Sequence, residues 1–290
     1  HPATNGIVIL SLPAALPADQ YAMVLRTFLE VFPHANLWYF PPVGEFFIPN
    51  TFLIGSNETI DVDPDRLSQA LASGSGAFRG IEKYGLKTAE DVLTHFVASE
   101  ETLRRAIPPG PINSFNRPYY EFYSPADYVL PWQQRALANH QLLVSIRGPD
   151  FEKDVLGKLE GPARKSLLAA YEAEGLFLKG YAAQLGKEPS TEVVQFLDSA
   201  IALAPRSEVL RNQVVAYYME QFRFNFWRQD YDNALRFARS ATEKYPQSAV
   251  AHENYGMALL LTRQPEAALA KLLKAQALNP GRVLPFRASG

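Results

Sequence analysis

The sequence predicts an α/β unit followed by an all-α region, and three observations carry that prediction. Residues 6–56 read strand, helix, strand, strand. From about residue 132 onward the apolar spacing is helical. Within that region, small and terminating residues return at an interval of 34: Ala234 and Ala268, Ala241 and Ala275, Pro246 and Pro280. The α/β unit reads as the closing part of a doubly wound sheet, with the strands that should precede it expected upstream of residue 6. It therefore reads as the C-terminal portion of a larger protein.

The strand at 6–12 contains Ile7, Val8, Ile9 and Leu10 in succession, the pattern of a strand buried on both faces. Pro17-Ala18-Asp19 suits a helix first turn, with proline tolerated and an acid near the positive dipole end. Tyr21, Val24, Leu25, Phe28, Leu29 and Phe32 then form one apolar helical face, and Pro33 closes the helix. Strands are expected at Leu37–Phe40 and Phe52–Ile54, joined by the turn-rich Pro41–Glu45. An unpaired strand at 6–12 would be a sticky edge, so pairing with a second chain or with upstream polypeptide is expected.

Asp61, Asp63 and Asp65 alternate as at the start of a calcium loop. Arg66 occupies the position of the required glycine and no Glu lies twelve positions in, so the metal reading fails. Asp63 instead N-caps a helix that begins at Pro64 and runs through Leu67 and Leu71. Ser73–Gly76 with Gly80 follows a helix rather than a strand, so it reads as a connector and not a phosphate loop. Helix starts are expected at Thr88–Asp91 and at Ser99–Thr102. Residues 107–131 are rich in proline and aromatics and read as an extended segment packed back over the sheet. The domains are then 1–130, a helical linker at 131–162, and repeats at 163–290.

Composition narrows the function. The 290 residues suffice for two domains at roughly 100–200 residues each. With 47% hydrophobic and 20% charged residues, the chain can bury a sizeable core. Net charge is −2 and the basic residues are scattered, which disfavours nucleic acid. There is no cysteine, hence no thiolate metal site, disulfide or cysteine nucleophile. No run reaches the roughly 18–20 apolar residues of a membrane span, and His1–Asn5 lacks the features of a signal peptide. The histidines (His1, His34, His95, His140 and His252) show no metal-ligand spacing. Serine-hydrolase, Walker and dinucleotide motifs are missing as well. No catalytic, cofactor-binding or metal-binding residue is assigned.

The repeats match the tetratricopeptide pattern. The last unit supplies Tyr255-Gly256, Leu259, Ala268, Leu272, Ala275 and Pro280, and the unit before it Phe222, Tyr231, Ala234, Ala238, Ala241 and Pro246. A looser unit ends at Leu197, Ala200 and Pro205, with an insertion near Gly186–Pro189. Such arrays present a concave face from the first helix of each unit. By repeat position, that face holds Met219, Arg223, Phe226, Glu253, Met257 and Leu260 as candidate partner-binding residues. Ordinary solvated helix surface is the bland reading of the same six.

Residues 6–125 resemble the C-terminal half of bacterial spermidine synthase-like proteins. The resemblance is carried by Gly6-Ile7-Val8, Ser11-Leu12-Pro13, Val24–Pro33, Leu37-Trp38-Tyr39, Phe52–Ser56, Asp63–Leu67, and Asn113–Pro118 with Glu121-Phe122. It covers about two-fifths of the chain. It implies a class I methyltransferase-like fold that uses decarboxylated S-adenosylmethionine to alkylate a polyamine. The family's cofactor glycines, adenosine-binding acid and catalytic aspartate all precede the strand at 6–12, so that cofactor is implied only together with an upstream half. The substrate loop is replaced by Tyr39–Gly44, leaving Tyr39 and Phe40 as candidate substrate-wall residues, and Phe115 stands at an acidic position.

Two readings follow. In the first, the chain is a non-catalytic scaffold whose repeats hold a protein partner. In the second, it is a fragment of an aminopropyltransferase. Either is expected to be the soluble portion of a membrane-associated bacterial protein, since relatives often carry an N-terminal membrane region.

Overall fold

The computed structural model describes residues 6–41, 49–73, 86–119, 130–188 and 190–280. The expected loop at 42–45, most of the connector at 73–80, residues 120–129, Pro189 and both termini lie outside the described residues. Contacts divide the chain into two compact units, His1–Leu210 and Arg211–Gly290.

The first unit is built on a four-stranded sheet: β1 (Ile7–Pro13), β2 (His34–Phe40), β3 (Asn50–Ser56) and β4 (Phe96–Ser99), in the order β1-β3-β2-β4. Each neighbouring pair is antiparallel. β1 and β2 therefore run the same way on either side of β3, joined by helix α1 (Ala18–Val31). One consequence corrects the expectation for β1. Ile7 and Ile9 are 63% and 64% exposed, so this strand is not covered on both faces. Among the described strands it pairs with β3 alone and lies at the edge. An apolar run specifies a strand that wants cover, but not whether cover is present.

The face of the sheet towards α1 is tightly packed. Ala35, Leu37, Tyr39 and Leu53 meet Tyr21, Leu25 and Phe28 of the helix and Phe32 just after it. Gly55 permits this approach, since a Cβ there would stand 2.6–2.7 Å from the rings of Phe28 and Phe32. Helices α4 (Glu100–Ala106) and α5 (Trp132–Ile146) complete the layer through Leu103, Leu143 and Ile146.

The other face carries Trp38, Phe40, Phe52, Ile54 and Phe96. It is covered by α2 (Pro64–Ala72), α3 (Ala89–Leu93), α6 (Pro149–Asp154), a 3-10 turn (Leu156–Lys158) and α7 (Gly161–Leu185). Residues 131–162 are thus part of the sheet's core rather than a linker: Leu143, Phe151, Val155 and Leu156 are fully buried. Arg147 ties the layers together. Its guanidinium donates to the carbonyls of Phe96, Thr94 and Tyr171 and lies 3.6 Å from the Tyr171 ring centre.

Local signals act as their chemistry requires. The Asp63 carboxylate accepts from the Asp65 and Arg66 amides, capping α2 above Pro64. Thr88 and Asp91 form a reciprocal capping box on α3. Ser99 does not cap α4; its hydroxyl donates to Asp154 and its amide to Asp150. The described part of the 107–131 segment is clamped to α1 by Arg26, which donates to the carbonyls of Pro108 and Pro111. At its end, Phe115 is fully exposed on a tight turn closed by Ser114 and Arg117.

From α7 onward the helices alternate: α8 (Ser190–Leu203), α9 (Glu208–Trp227), α10 (Tyr231–Lys244), α11 (Ala249–Leu261) and α12 (Pro265–Leu278). The unit division falls within α9, so α7 and α8 belong with the sheet. The 34-residue interval reappears in backbone geometry. Gln229 and Arg263 both hold positive φ, 62° and 61°, at the turns after α9 and α11. In each turn the next amide reaches back five residues, Asp230 to Asn225 and Gln264 to Leu259. Lys187, at φ 63°, makes the same turn after α7, with Glu188 bonding back to Ala183. The alanines at the close approaches are buried: Ala200 in the first unit, and Ala234, Ala241, Ala268 and Ala275 in the second. Gly256 lets α11 meet α12, because a Cβ there would lie 2.7 Å from Leu272. Gly180 serves α7 and α8 in the same way, with Phe196 at 3.0 Å.

Candidate functional site

The first unit contains a groove of about 950 Å³ on the sheet face opposite α1. Strand alternation builds its floor. Ile9 and Ser11 from β1, Phe52 and Ile54 from β3, and Trp38 and Phe40 from β2 all point to this side. Phe40 and Phe52 meet edge to face at 5.5 Å. Leu67 and Ala70 of α2 and Val92 and Leu93 of α3 form the facing wall. Asp61, Val62 and Asp63 close one side, and Leu86 and Val209 also contribute.

The few polar groups lining the groove are mostly committed. Lys158 donates to Asp61 and holds that carboxyl below the usual aspartate range. Asp63 caps α2 and lies 3.7 Å from Arg66. His95 is fully enclosed behind Phe40, with the two rings 4.4 Å apart. Burial, reinforced by the Arg147 charge, pushes its imidazole down to about 3. It is therefore neutral near pH 7, and its 3.7 Å approach to buried Glu174 is not an ion pair. The indole Nε1 of buried Trp38 has no hydrogen-bond partner.

Adjacent residues of β2 divide between the two faces. Phe40 lines the groove. Tyr39 points the other way, and its hydroxyl bonds His140 Nε2 at 3.1 Å. His140 Nδ1 donates to the Ala136 carbonyl at 2.7 Å, which sets the tautomer so that Tyr39 is the donor. Burial raises the Tyr39 phenol well above its normal range and lowers His140 to about 4. Neither group is poised for proton transfer near neutrality, where efficient acid–base catalysts need their pKa. Among the described residues, no cluster of three or more His, Asp or Glu side chains could hold a metal ion.

The repeat candidates separate by burial. Met219 is 2% exposed and Glu253 9%, so both contribute to the interior of the second unit. Arg223, Phe226, Met257 and Leu260 are half-buried. The most exposed aromatic of this region was not among the candidates: Trp227, at 83%, ends α9. Its signal was its place as the last residue before the positive-φ turn region, where a large apolar side chain gains little from the helix pair.

The groove was not legible as a site, because its lining comes from separate stretches with no shared motif. No protein-family model matches the chain, and no curated protein matches it.

Proposed function

We propose that this chain is a binding module in which an α/β platform carries tetratricopeptide-type repeats that hold a protein partner. The observation that carries the reading is the recurrence of one turn geometry at Gln229 and Arg263, 34 residues apart, with buried alanines at both helix approaches. Stacked helix pairs of this kind serve as extended binding surfaces. The half-buried Arg223, Phe226, Met257 and Leu260 are the side chains offered to the partner. A binding role also agrees with titratable groups that burial has moved away from neutrality on both sheet faces. The test is affinity capture followed by quantification of each retained protein with Met257→Glu and Arg223→Glu. Loss of a specific partner in both variants, with unchanged circular dichroism, is the expected outcome. Retention of every partner sinks the concave-face assignment.

A second reading keeps the chain as the closing part of a methyltransferase-like sheet in an aminopropyltransferase-like enzyme. Its support is topological: β1 and β2 are parallel, joined by α1, with β3 antiparallel between them and β1 left as an apolar edge. In that reading, upstream polypeptide or a second chain pairs with β1 and brings the decarboxylated S-adenosylmethionine site. Calorimetry of this chain with an S-adenosylmethionine analogue is then expected to give no heat of binding, and micromolar affinity would overturn the assignment of that site to another segment.

A further inference from the structure

We propose that the groove on the sheet face opposite α1 binds a neutral small molecule with an aromatic or hydrocarbon body. The inference is independent of the repeats and uses only the first unit.

Volume and shape come first. Ligand sites occupy roughly 300–1,000 Å³ and are mostly apolar with a few polar groups. At about 950 Å³ the groove lies within that range. Its walls converge from three strands, two helices and the segment at 61–63, all in one unit. A flat docking face is contributed by one or two elements; convergence of many produces a concavity suited to a compact ligand. Apolar surface of this extent in contact with water is a standing cost that a bound apolar body removes.

Charge then decides the class of ligand. A polyamine or other cation needs carboxylates free to replace its water. Among the described residues, the groove's two carboxylates are Asp61, bonded to Lys158, and Asp63, engaged with amides of α2 and beside Arg66. Arg66, paired with Asp63, is the guanidinium among the described lining residues, so an anion finds no unshared partner among them either. His95 is held neutral by its burial. What remains among the described lining is uncharged: Ser11, Asn50 and the aromatic and branched-aliphatic floor of Phe40, Phe52, Ile54 and Ile9, which rewards neutral, largely apolar contact.

The probe is N-phenyl-1-naphthylamine, a neutral aromatic amine whose fluorescence rises on leaving water, titrated into the purified chain. One saturable site is expected, with spermidine at millimolar concentration failing to displace the probe. Ala70→Trp, on α2, and Ser11→Phe, at an exposed strand position, each project bulk into the groove from opposite walls. Each is expected to weaken binding at least tenfold while leaving the circular dichroism spectrum unchanged. Leu269→Ser, on α12 of the second unit, is expected to leave it unaltered. The proposal is overturned by non-saturable binding, by displacement with spermidine, or by equal affinity in the two filled variants. It is also overturned if sedimentation shows a dimer whose dissociation is needed before the probe enters, since a second copy would then be the occupant.

Discussion

On the α1 side of the sheet, Ala35, Leu37 and Leu53 are wholly buried and Gly55 sits under two phenylalanine rings; on the other side, Phe40, Phe52 and Ile54 stay partly open along the groove. The same strands build both, because consecutive side chains alternate between faces. The difference lies in what covers them. A 14-residue amphipathic helix, α1, lies along one face; on the other, α6, the 3-10 turn and α7 pack around Trp38 and Phe96, while the groove is walled by shorter pieces, α2 of 9 residues and α3 of 5. The comparison teaches that a strand pattern specifies side, whereas the covering elements decide whether that side becomes core or site.

The largest expected effect acts on both faces at once. His140 lies behind Tyr39 on the α1 side and His95 behind Phe40 on the groove side. Burial lowers them to about 4 and about 3, below the ordinary 6.5, so the unfolded chain takes up protons that the folded chain refuses. Stability is complete above about pH 6.5 and drains away as pH falls towards 4, by on the order of 5 kcal/mol for the two together. Urea midpoints measured from pH 7 to pH 4 should fall steadily. His140→Leu should flatten that slope whatever it does to the absolute value. An unchanged slope would place His140 in solvent contact and break the picture of a sealed α1 face.

Next in size is a pair of neighbours on β3. Leu53→Ala removes a side chain with no exposure and should cost about 3–4 kcal/mol, since the tight face cannot collapse around the void. Ile54→Ala removes a half-buried side chain beside an existing groove and should cost about 1 kcal/mol. Chemical denaturation at constant m-value reads both. Equal losses would mean that the groove face is packed as densely as its opposite.

Part of this was legible from residues alone. Asp63-Pro64 announced the α2 cap because a carboxylate before a proline at the first helical position has a local, self-contained geometry. Ala234, Ala241, Ala268 and Ala275 announced close helix approaches because only small residues fit there. Strand β4 was not legible: Phe96–Ser99 is four residues long and ends on Ser99, which reads as a cap but whose hydroxyl instead meets Asp154. The side taken by Tyr39 and Phe40 followed only from the register of β2 on β3. Nor could Ile7 to Leu10 reveal an edge, because pairing partners are not a property of the strand's own composition.

The smallest effect concerns that edge. Ile7 and Leu12 lie on one strand, yet Ile7 is largely exposed and Leu12 is buried in the α1 face. Ile7→Lys should change stability by no more than about 0.5 kcal/mol, because an exposed side chain has little burial to lose. Its effect should appear in association instead. A charge on an unpaired edge is a common guard against strand addition, and β1 contains none between Ile7 and Pro13. Sedimentation velocity at rising concentration should therefore show less self-association for Ile7→Lys than for the parent chain. If the variant loses stability on the scale of Leu53→Ala, then β1 is covered in solution and belongs with the packed face.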